Sequence, residues 1–103
     1  MSESKVLPSK NRQAAMEQDT AAGGLERRKL RTRSGEIATV SLALSPSAGG
    51  TRVTLRFKVG GNTVQRPVGV VKSASRAEAL KLGWEMIRAQ QVVEKERWEW
   101  AAP

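Results

Sequence analysis

The sequence contains no cysteine, no histidine and no tyrosine. Without cysteine the chain has neither a disulfide nor a thiolate ligand, and nothing in it points to an oxidising compartment. Without histidine as well, zinc sites of the Cys/His type, Ser-His-Asp triads, Cys-His nucleophile pairs and histidine acid–base catalysis are excluded. We therefore expect a protein that is not an enzyme and that holds no metal and no other cofactor.

Long apolar segments and aromatic residues are also scarce. The longest apolar run is only a few residues, which is too short for a transmembrane helix, and the polar amino terminus lacks the apolar core of a signal peptide. A chain of 103 residues that is 39% hydrophobic, with three tryptophans and one phenylalanine, has the size of one small domain with a modest core. We expect a cytoplasmic protein that does not insert into membranes.

Acidic residues are missing from the middle third of the chain. The net charge is +8, and residues 37 to 72 hold five Lys/Arg and no Asp/Glu. A basic stripe concentrated on one element is typical of proteins that bind nucleic acid. The alternative interpretation is that these cations only keep a small domain soluble.

The clearest pattern lies in the segment from Arg52 to Val59, where apolar and polar residues alternate strictly. One face carries Val53, Leu55, Phe57 and Val59, and the other carries Arg52, Thr54, Arg56 and Lys58. A period of two predicts a strand with one buried face. Neighbouring residues on one face of a strand lie about 7 Å apart, which is similar to the spacing of phosphates along a nucleic acid strand.

Two further strands accompany this one. Gly60-Gly61-Asn62 tolerates positive φ and predicts a hairpin turn. The return strand runs from Thr63 to Lys72, and because Pro67 has no N–H to donate, we place this strand at a sheet edge or give it a bulge near Pro67. The segment from Ile37 to Leu44 also alternates and predicts the first strand. Pairing of neighbours along the chain makes an antiparallel meander.

A helix with a marked start follows. Ser75 and Glu78 fit a capping box, and the helical pattern continues to about Trp98, with Gly83 indicating a close backbone approach on the packed side. One apolar stripe faces the sheet, and a second stripe includes Leu82, Met86 and Val93. This apolar arc is too wide for a helix that rests on three strands alone. We expect the amino-terminal segment, a second copy of the chain or another protein to cover it.

Residues 1 to 36 are poor in large apolar residues and predict a flexible basic tail, separate from a small β-β-β-α domain at residues 37 to 103. Residues 11 to 19 suit a turn or two of helix, which is marginal alone in water. A run of seven residues in the tail holds five cations, namely Arg27, Arg28, Lys29, Arg31 and Arg33. Such a run binds phosphates; the alternative is a solvated tail.

The fold predicted from these patterns is α+β, with a three-stranded antiparallel sheet packed by one carboxy-terminal helix. The hairpin RVTLRFKVGGNTVQRPVGVVK leading into SRAEALKLGWEMIRAQ resembles the arm-binding domain of the tyrosine recombinases of phages and mobile elements, which is similar to the plant AP2 type. The resemblance covers roughly residues 37 to 93. It implies that the outer face of the sheet enters the major groove of DNA, with Arg52, Arg56 and Lys58 as contacts and Arg66 as a possible phosphate contact.

Two functions from different classes fit the sequence. The first is binding of nucleic acid, with duplex DNA preferred, because the polar face of the sheet carries no aromatic residue on which single-stranded bases stack. The second is a non-catalytic protein-interaction or self-association module in which Leu82, Met86 and Val93 contact a partner or a second copy of the chain. Neither function requires a small-molecule substrate.

Overall fold

The computed structural model describes residues 9 to 102. Its elements, in chain order, are α1 (Lys10–Ala22), a 3-10 turn (Leu25–Arg28), β1 (Lys29–Arg31), β2 (Ile37–Thr39), β3 (Ser41–Ser47), β4 (Gly50–Val59), β5 (Asn62–Val71), α2 (Arg76–Ala89), α3 (Val92–Lys95) and β6 (Glu99–Trp100). The strands form two antiparallel sheets with the orders β2-β1-β6 and β3-β4-β5. The α+β class is confirmed, whereas the prediction of one sheet with one helix is wrong.

The central sheet is the predicted meander of β3, β4 and β5. The inner face of β4 is buried at Val53, Leu55 and Phe57, as its alternation predicts. Gly60 and Gly61 both have positive φ, at 58° and 79°, which a two-residue hairpin turn of the primed type requires. The turn is one residue shorter than predicted, because Asn62 already pairs with Val59.

The return strand β5 has both features that Pro67 predicts. It lies at the edge of the sheet, and its register with β4 shifts by one residue next to the proline. Val53 is opposite Gly69 and Thr54 is opposite Pro67, which leaves Val68 between them without a partner on β4. Val68 is buried, and beyond this bulge the inward positions are odd-numbered, so that Val71 is buried as well.

The amino-terminal segment is not a tail over the described residues. Residues 9 to 36 contain α1, the 3-10 turn and β1, and they bury Ala22, Arg28 and Leu30. The segment carries too few large apolar residues to fold alone, but α1 packs on α2, and Glu17 pairs with Arg76 at 2.8 Å. Tertiary contacts therefore order a sequence with weak local preference. Residues 1 to 8 of the predicted tail lie outside the described residues.

The predicted first strand is divided into β2 and β3 by Val40, where the chain passes from one sheet to the other. Both backbone groups of Val40 bond to Arg28, since its N–H donates to the Arg28 carbonyl and its carbonyl accepts from the Arg28 Nε, each at 2.8 Å. These bonds replace the ladder bonds of a continuous strand. The alternation of buried and exposed side chains nevertheless continues from Ala38 through Leu42.

Helix α2 begins as predicted. The Ser75 hydroxyl accepts the N–H of Glu78 at 3.1 Å, although the Glu78 carboxylate accepts from Ala74, one residue before the cap. The helix buries Leu80, Trp84 and Ile87 against the inner face of the sheet. A β-carbon added at Gly83 would lie 2.9 Å from side-chain atoms of Leu42 and Val53, which confirms the close approach.

The end of α2 differs from the prediction. The helix ends at Ala89 rather than near Trp98, and Gln91 and Arg97 take positive φ on either side of the single turn α3. The turn-back lets Trp98 contact Phe57, with the ring centres 4.9 Å apart, and lets Trp100 pair with Leu30 in the second sheet. Burial of Trp98 and partial burial of Trp100 outweigh the helical preference of the intervening residues.

Candidate nucleic-acid interface

The outer face of the central sheet presents three cations of β4 to solvent. The cross-strand register places Arg52 opposite Ser45 and Val70, Arg56 opposite Ser41 and Gln65, and Lys58 opposite Thr63. All three cationic side chains are exposed. Within residues 9 to 102, none of them forms an ion pair. Their charge is therefore not neutralised by the protein.

The residues around these cations are short and uncharged. On β3 they are Ser41, Ala43 and Ser45, and on β5 they are Thr63, Gln65, Pro67 and Val70. Because the long side chains stand on the middle strand, they rise above both neighbouring strands. The face combines a cationic ridge with flanks that carry no carboxylate, which makes its potential positive.

A groove opens where β2 turns away from β4. It has a volume of about 590 Å³ and is lined on the β2 side by Ile37 and Thr39 and on the β4 side by Arg56 and Lys58. Ile37 keeps 49% of its surface exposed. The groove therefore joins the cationic ridge of the central sheet to the outer face of the second sheet.

The second sheet carries two further cations beside this groove, each with a carboxylate nearby. On β1, Lys29 is opposite Thr39 and Arg31 is opposite Ile37, and both of these partners line the groove. Lys29 is half-buried and pairs with Glu26 at 3.1 Å, whereas Arg31 is exposed next to Glu99 of β6. We define the outer cationic surface as Arg52, Arg56, Lys58, Lys29 and Arg31.

The basic run 27 to 33 is not a single binding segment. Arg28 is only 5% exposed; it contacts Asp19 at 2.5 Å and donates to the Ser41 hydroxyl at 2.8 Å. Its guanidinium is thus a structural group inside the domain. Arg27 lies beside Arg88 on the helix side, and Arg33 is exposed in the turn between β1 and β2. The structure therefore separates the five cations that the sequence places together.

Arg66 lies on the opposite side of the sheet from Arg52 and Arg56. It is opposite Leu55, on the inner face, where its Nε donates to a Glu96 carboxylate oxygen at 2.8 Å and its guanidinium lies 5.4 Å from the centre of the Trp98 ring. The hydrogen bond from Arg66 lowers the pKa of Glu96, and the Glu96 carboxylate in turn raises the pKa of Arg66. Arg66 therefore contacts Glu96 and Trp98 at the edge of the sheet. It does not lie on the outer face with Arg52 and Arg56, the other contacts predicted for DNA.

The predicted protein-interaction stripe is only partly on the surface. Val93 is fully buried in the core, while Leu82 and Met86 are half-buried and line a shallow groove with Val71 and Ala89. The amino-terminal helix covers a different side of α2, where Arg88 donates to the Ala22 carbonyl at 2.7 Å. The sequence predicts three candidates to cover the apolar arc of α2, and the amino-terminal segment covers this side of it.

Sequence reasoning missed Gln18, Asp19 and Arg88, which attach α1 to the rest of the domain. The signal available was weak, because a single polar residue in a short helix does not reveal a buried partner. In the part of the chain that the structure describes, no three His, Cys, Asp or Glu residues group as metal ligands. No helix within residues 9 to 102 is long and apolar enough to cross a membrane.

Comparisons with known proteins add no relative: no protein-family model, no curated protein and no solved structure matches the chain.

Proposed function

We propose that this protein binds duplex DNA, without catalysis, through its outer cationic surface. The observation that carries the proposal is the placement of Arg52, Arg56 and Lys58 on one exposed face of β4, unpaired within residues 9 to 102 and in a stretch of 36 residues without a carboxylate. Holding like charges together in this way is unfavourable for the free protein and becomes favourable against phosphates.

The dimensions of the sheet suit a major groove. Three strands about 4.8 Å apart make a surface roughly 10 Å across, and the major groove is about 12 Å wide. Arg52 and Arg56 on the central ridge are the residues that reach base edges, where arginine forms paired hydrogen bonds with guanine. The phosphate contacts are Lys58, at the end of the ridge, and Lys29 and Arg31 on the neighbouring second sheet. The resemblance to the arm-binding domains supports the same orientation.

Duplex is favoured over single strands by the location of the aromatic residues. Phe57, Trp84 and Trp98 are buried, and the half-buried Trp100 packs against Trp84 at 5.6 Å between ring centres. The outer cationic surface therefore offers no ring on which an unpaired base stacks. Contacts to phosphates and groove edges are what its side chains provide.

Fluorescence anisotropy with a labelled duplex tests the proposal. The double variant Arg52→Ala with Arg56→Ala is expected to lose at least about 30-fold in affinity. The matched control is Lys81→Ala with Lys95→Ala, which removes the same charge from exposed positions on α2 and α3 and is expected to bind nearly as wild type does. Equal losses in both double variants would reduce the effect to net charge and contradict the proposal.

A protein-interaction or self-association function is the second candidate, supported by the shallow groove at Leu82 and Met86. Its test is Leu82→Glu with Met86→Glu, which is expected to abolish association while leaving DNA affinity unchanged. Sedimentation velocity of wild type and variant measures the self-association arm. A wild-type protein that sediments as a monomer at high concentration would contradict that arm.

A further inference from the structure

Two arginines converge at the carboxy-terminal end of α1, on the side of the domain away from the outer cationic surface. Arg88 of α2 donates from Nη2 to the Ala22 carbonyl at 2.7 Å, and its guanidinium lies 5.3 Å from the centre of the Trp84 ring. The side chain of Arg27 lies over Gly23, the residue that follows Ala22. Its Cδ would be 3.3 Å from a β-carbon built on Gly23. Both guanidinium groups therefore flank the last turn of α1.

A small pocket separates these two side chains. Its lining consists of Arg27, Arg88, Glu94, Trp100 and Ala102, and its volume is about 150 Å³. The volume suits a small oxyanion rather than a larger organic ligand, and Trp100 supplies one apolar wall. Each guanidinium keeps several N–H groups beyond those already used, because the fork carries five donors.

The charges at this pocket are unbalanced. Within residues 9 to 102, no carboxylate oxygen lies within 4 Å of a nitrogen of Arg27 or Arg88, so Glu94 lines the pocket without pairing with either. Burial, and after it the nearby charge of Arg27, lowers the pKa of Arg88. A partly desolvated cation beside a second cation is stabilised by an anion between them.

We propose that this pocket binds a doubly charged phosphate group, either inorganic phosphate or a phosphate monoester, between the guanidinium groups of Arg27 and Arg88. Two planar forks match the several oxygens of a phosphate, and charge-assisted bonds of this kind are the strong ones. A monoester carries nearly two negative charges at neutral pH, which matches the charge of the two arginines and is opposed by the carboxylate of Glu94. The pocket is independent of the DNA-binding proposal, because α2 packs on the inner face of the sheet.

The experiment is a titration of the full-length ¹⁵N-labelled protein with inorganic phosphate at constant ionic strength, with chloride as the balancing ion. Saturable shifts of the Arg27 and Arg88 Nε–H signals, and a change in tryptophan fluorescence from Trp100, are expected. Glycerol phosphate is the second probe. Binding of both probes assigns phosphorylated small molecules as ligands, and binding of inorganic phosphate alone assigns the free ion; either result supports the site.

Three variants make the proposal falsifiable. Arg27→Gln changes an exposed residue and is expected to weaken phosphate binding about tenfold or more. Glu94→Gln removes the like charge from the lining and is expected to strengthen binding several-fold, a gain that misfolding does not produce. Arg52→Gln, on the outer cationic surface, is the control and leaves phosphate binding unchanged. Absence of saturable shifts, or saturable shifts that Arg27→Gln and Glu94→Gln leave unaltered, would overturn the proposal.

Discussion

The side-chain amide of Gln18 occupies both backbone hydrogen-bonding groups of Leu42. Its Nε2 donates to the Leu42 carbonyl at 2.9 Å, and its Oε1 accepts the Leu42 N–H at 3.0 Å. Arg28 bonds to both backbone groups of Val40, two residues earlier, accepting with its own carbonyl and donating from its Nε. The two residues together serve the open edge of the strand as a neighbouring strand would. The amino-terminal segment therefore completes the central sheet.

Replacement of Gln18 with leucine, which has a similar volume, is expected to destabilise the protein by about 2 to 4 kcal/mol. The reason is that the N–H and the carbonyl of Leu42 are left buried without partners, at about 1 to 3 kcal/mol for each group. Urea denaturation monitored by tryptophan fluorescence measures the change. Thr20→Ala, at an exposed position of the same helix, is the control. A loss no larger than that of the control would contradict the role given to Gln18.

Arg28 and Arg31 belong to the same basic run, but we expect Arg28 to stabilise the fold and Arg31 to contribute to DNA binding. Arg28→Met leaves the Asp19 carboxylate and the Val40 carbonyl without their partner, and we expect a loss of about 2 to 4 kcal/mol in stability, close to that of breaking a buried pair. Arg31→Gln, on an exposed strand face, is expected to keep its stability and to weaken DNA binding. Paired denaturation and anisotropy measurements test this. An Arg28→Met variant as stable as wild type would contradict the structural role given to the contacts of Arg28 with Asp19 and Val40.

Gly83→Ala is expected to destabilise the protein by about 1 to 2 kcal/mol, despite the gain in helix propensity of about 1 kcal/mol. The added methyl group would lie 2.9 Å from Leu42 Cδ1 and from Val53 Cγ1, and the branched Val53 side chain cannot turn away without strain. Differential scanning calorimetry measures the change in melting temperature, with Glu85→Ala on the exposed side of the helix as control. A variant with a higher melting temperature than wild type would contradict this prediction, because it would show that Leu42 and Val53 move aside at little cost.

The Arg66–Glu96 pair predicts a specific pH dependence. Because the hydrogen bond from Arg66 lowers the pKa of Glu96 below its ordinary value of 4.5, the stabilisation is fully present above that value and is lost as the pH falls through the lowered pKa. The difference in unfolding free energy between wild type and Glu96→Gln is therefore expected to be constant near neutral pH and to shrink below about pH 4.5. A difference that stays constant down to pH 2 would contradict the pairing.

The parts of the fold that the sequence predicts are those with a strong local pattern. Strand β4 alternates over eight residues, Gly60-Gly61 permits one kind of turn, and Ser75 caps a helix with a long apolar stripe. These signals are local, and each agrees with the tertiary structure. The outer position of Arg52, Arg56 and Lys58 follows from the same alternation.

The parts that the sequence does not predict depend on contacts between distant segments. Nothing near Gln18 or Arg28 shows that their partners are Leu42 and Val40, because a buried polar side chain looks like a solvated one in a sequence. The alternation of β5 puts Arg66 on the same face as Val64 and Val68, but nothing in the sequence shows that its partners there are Glu96 and Trp98, thirty or more residues later. The second sheet pairs β1 with β6, which are separated in the sequence by the whole of the central sheet and by α2.

The salt dependence of DNA affinity tests the central claim most directly. Wild-type protein is measured by anisotropy against one duplex between about 50 and 200 mM salt, a range over which neutralisation of about three to five phosphates by the outer cationic surface gives a log–log slope of about −2.7 to −4.5. The variant Lys58→Ala with Arg31→Ala is expected to reduce the magnitude of that slope by about 1.8, at about 0.9 for each of the two lost phosphate contacts, while Lys81→Ala with Lys95→Ala keeps it. Absence of saturable binding at the lower salt, or one slope shared by all three proteins, would contradict DNA binding by the outer cationic surface.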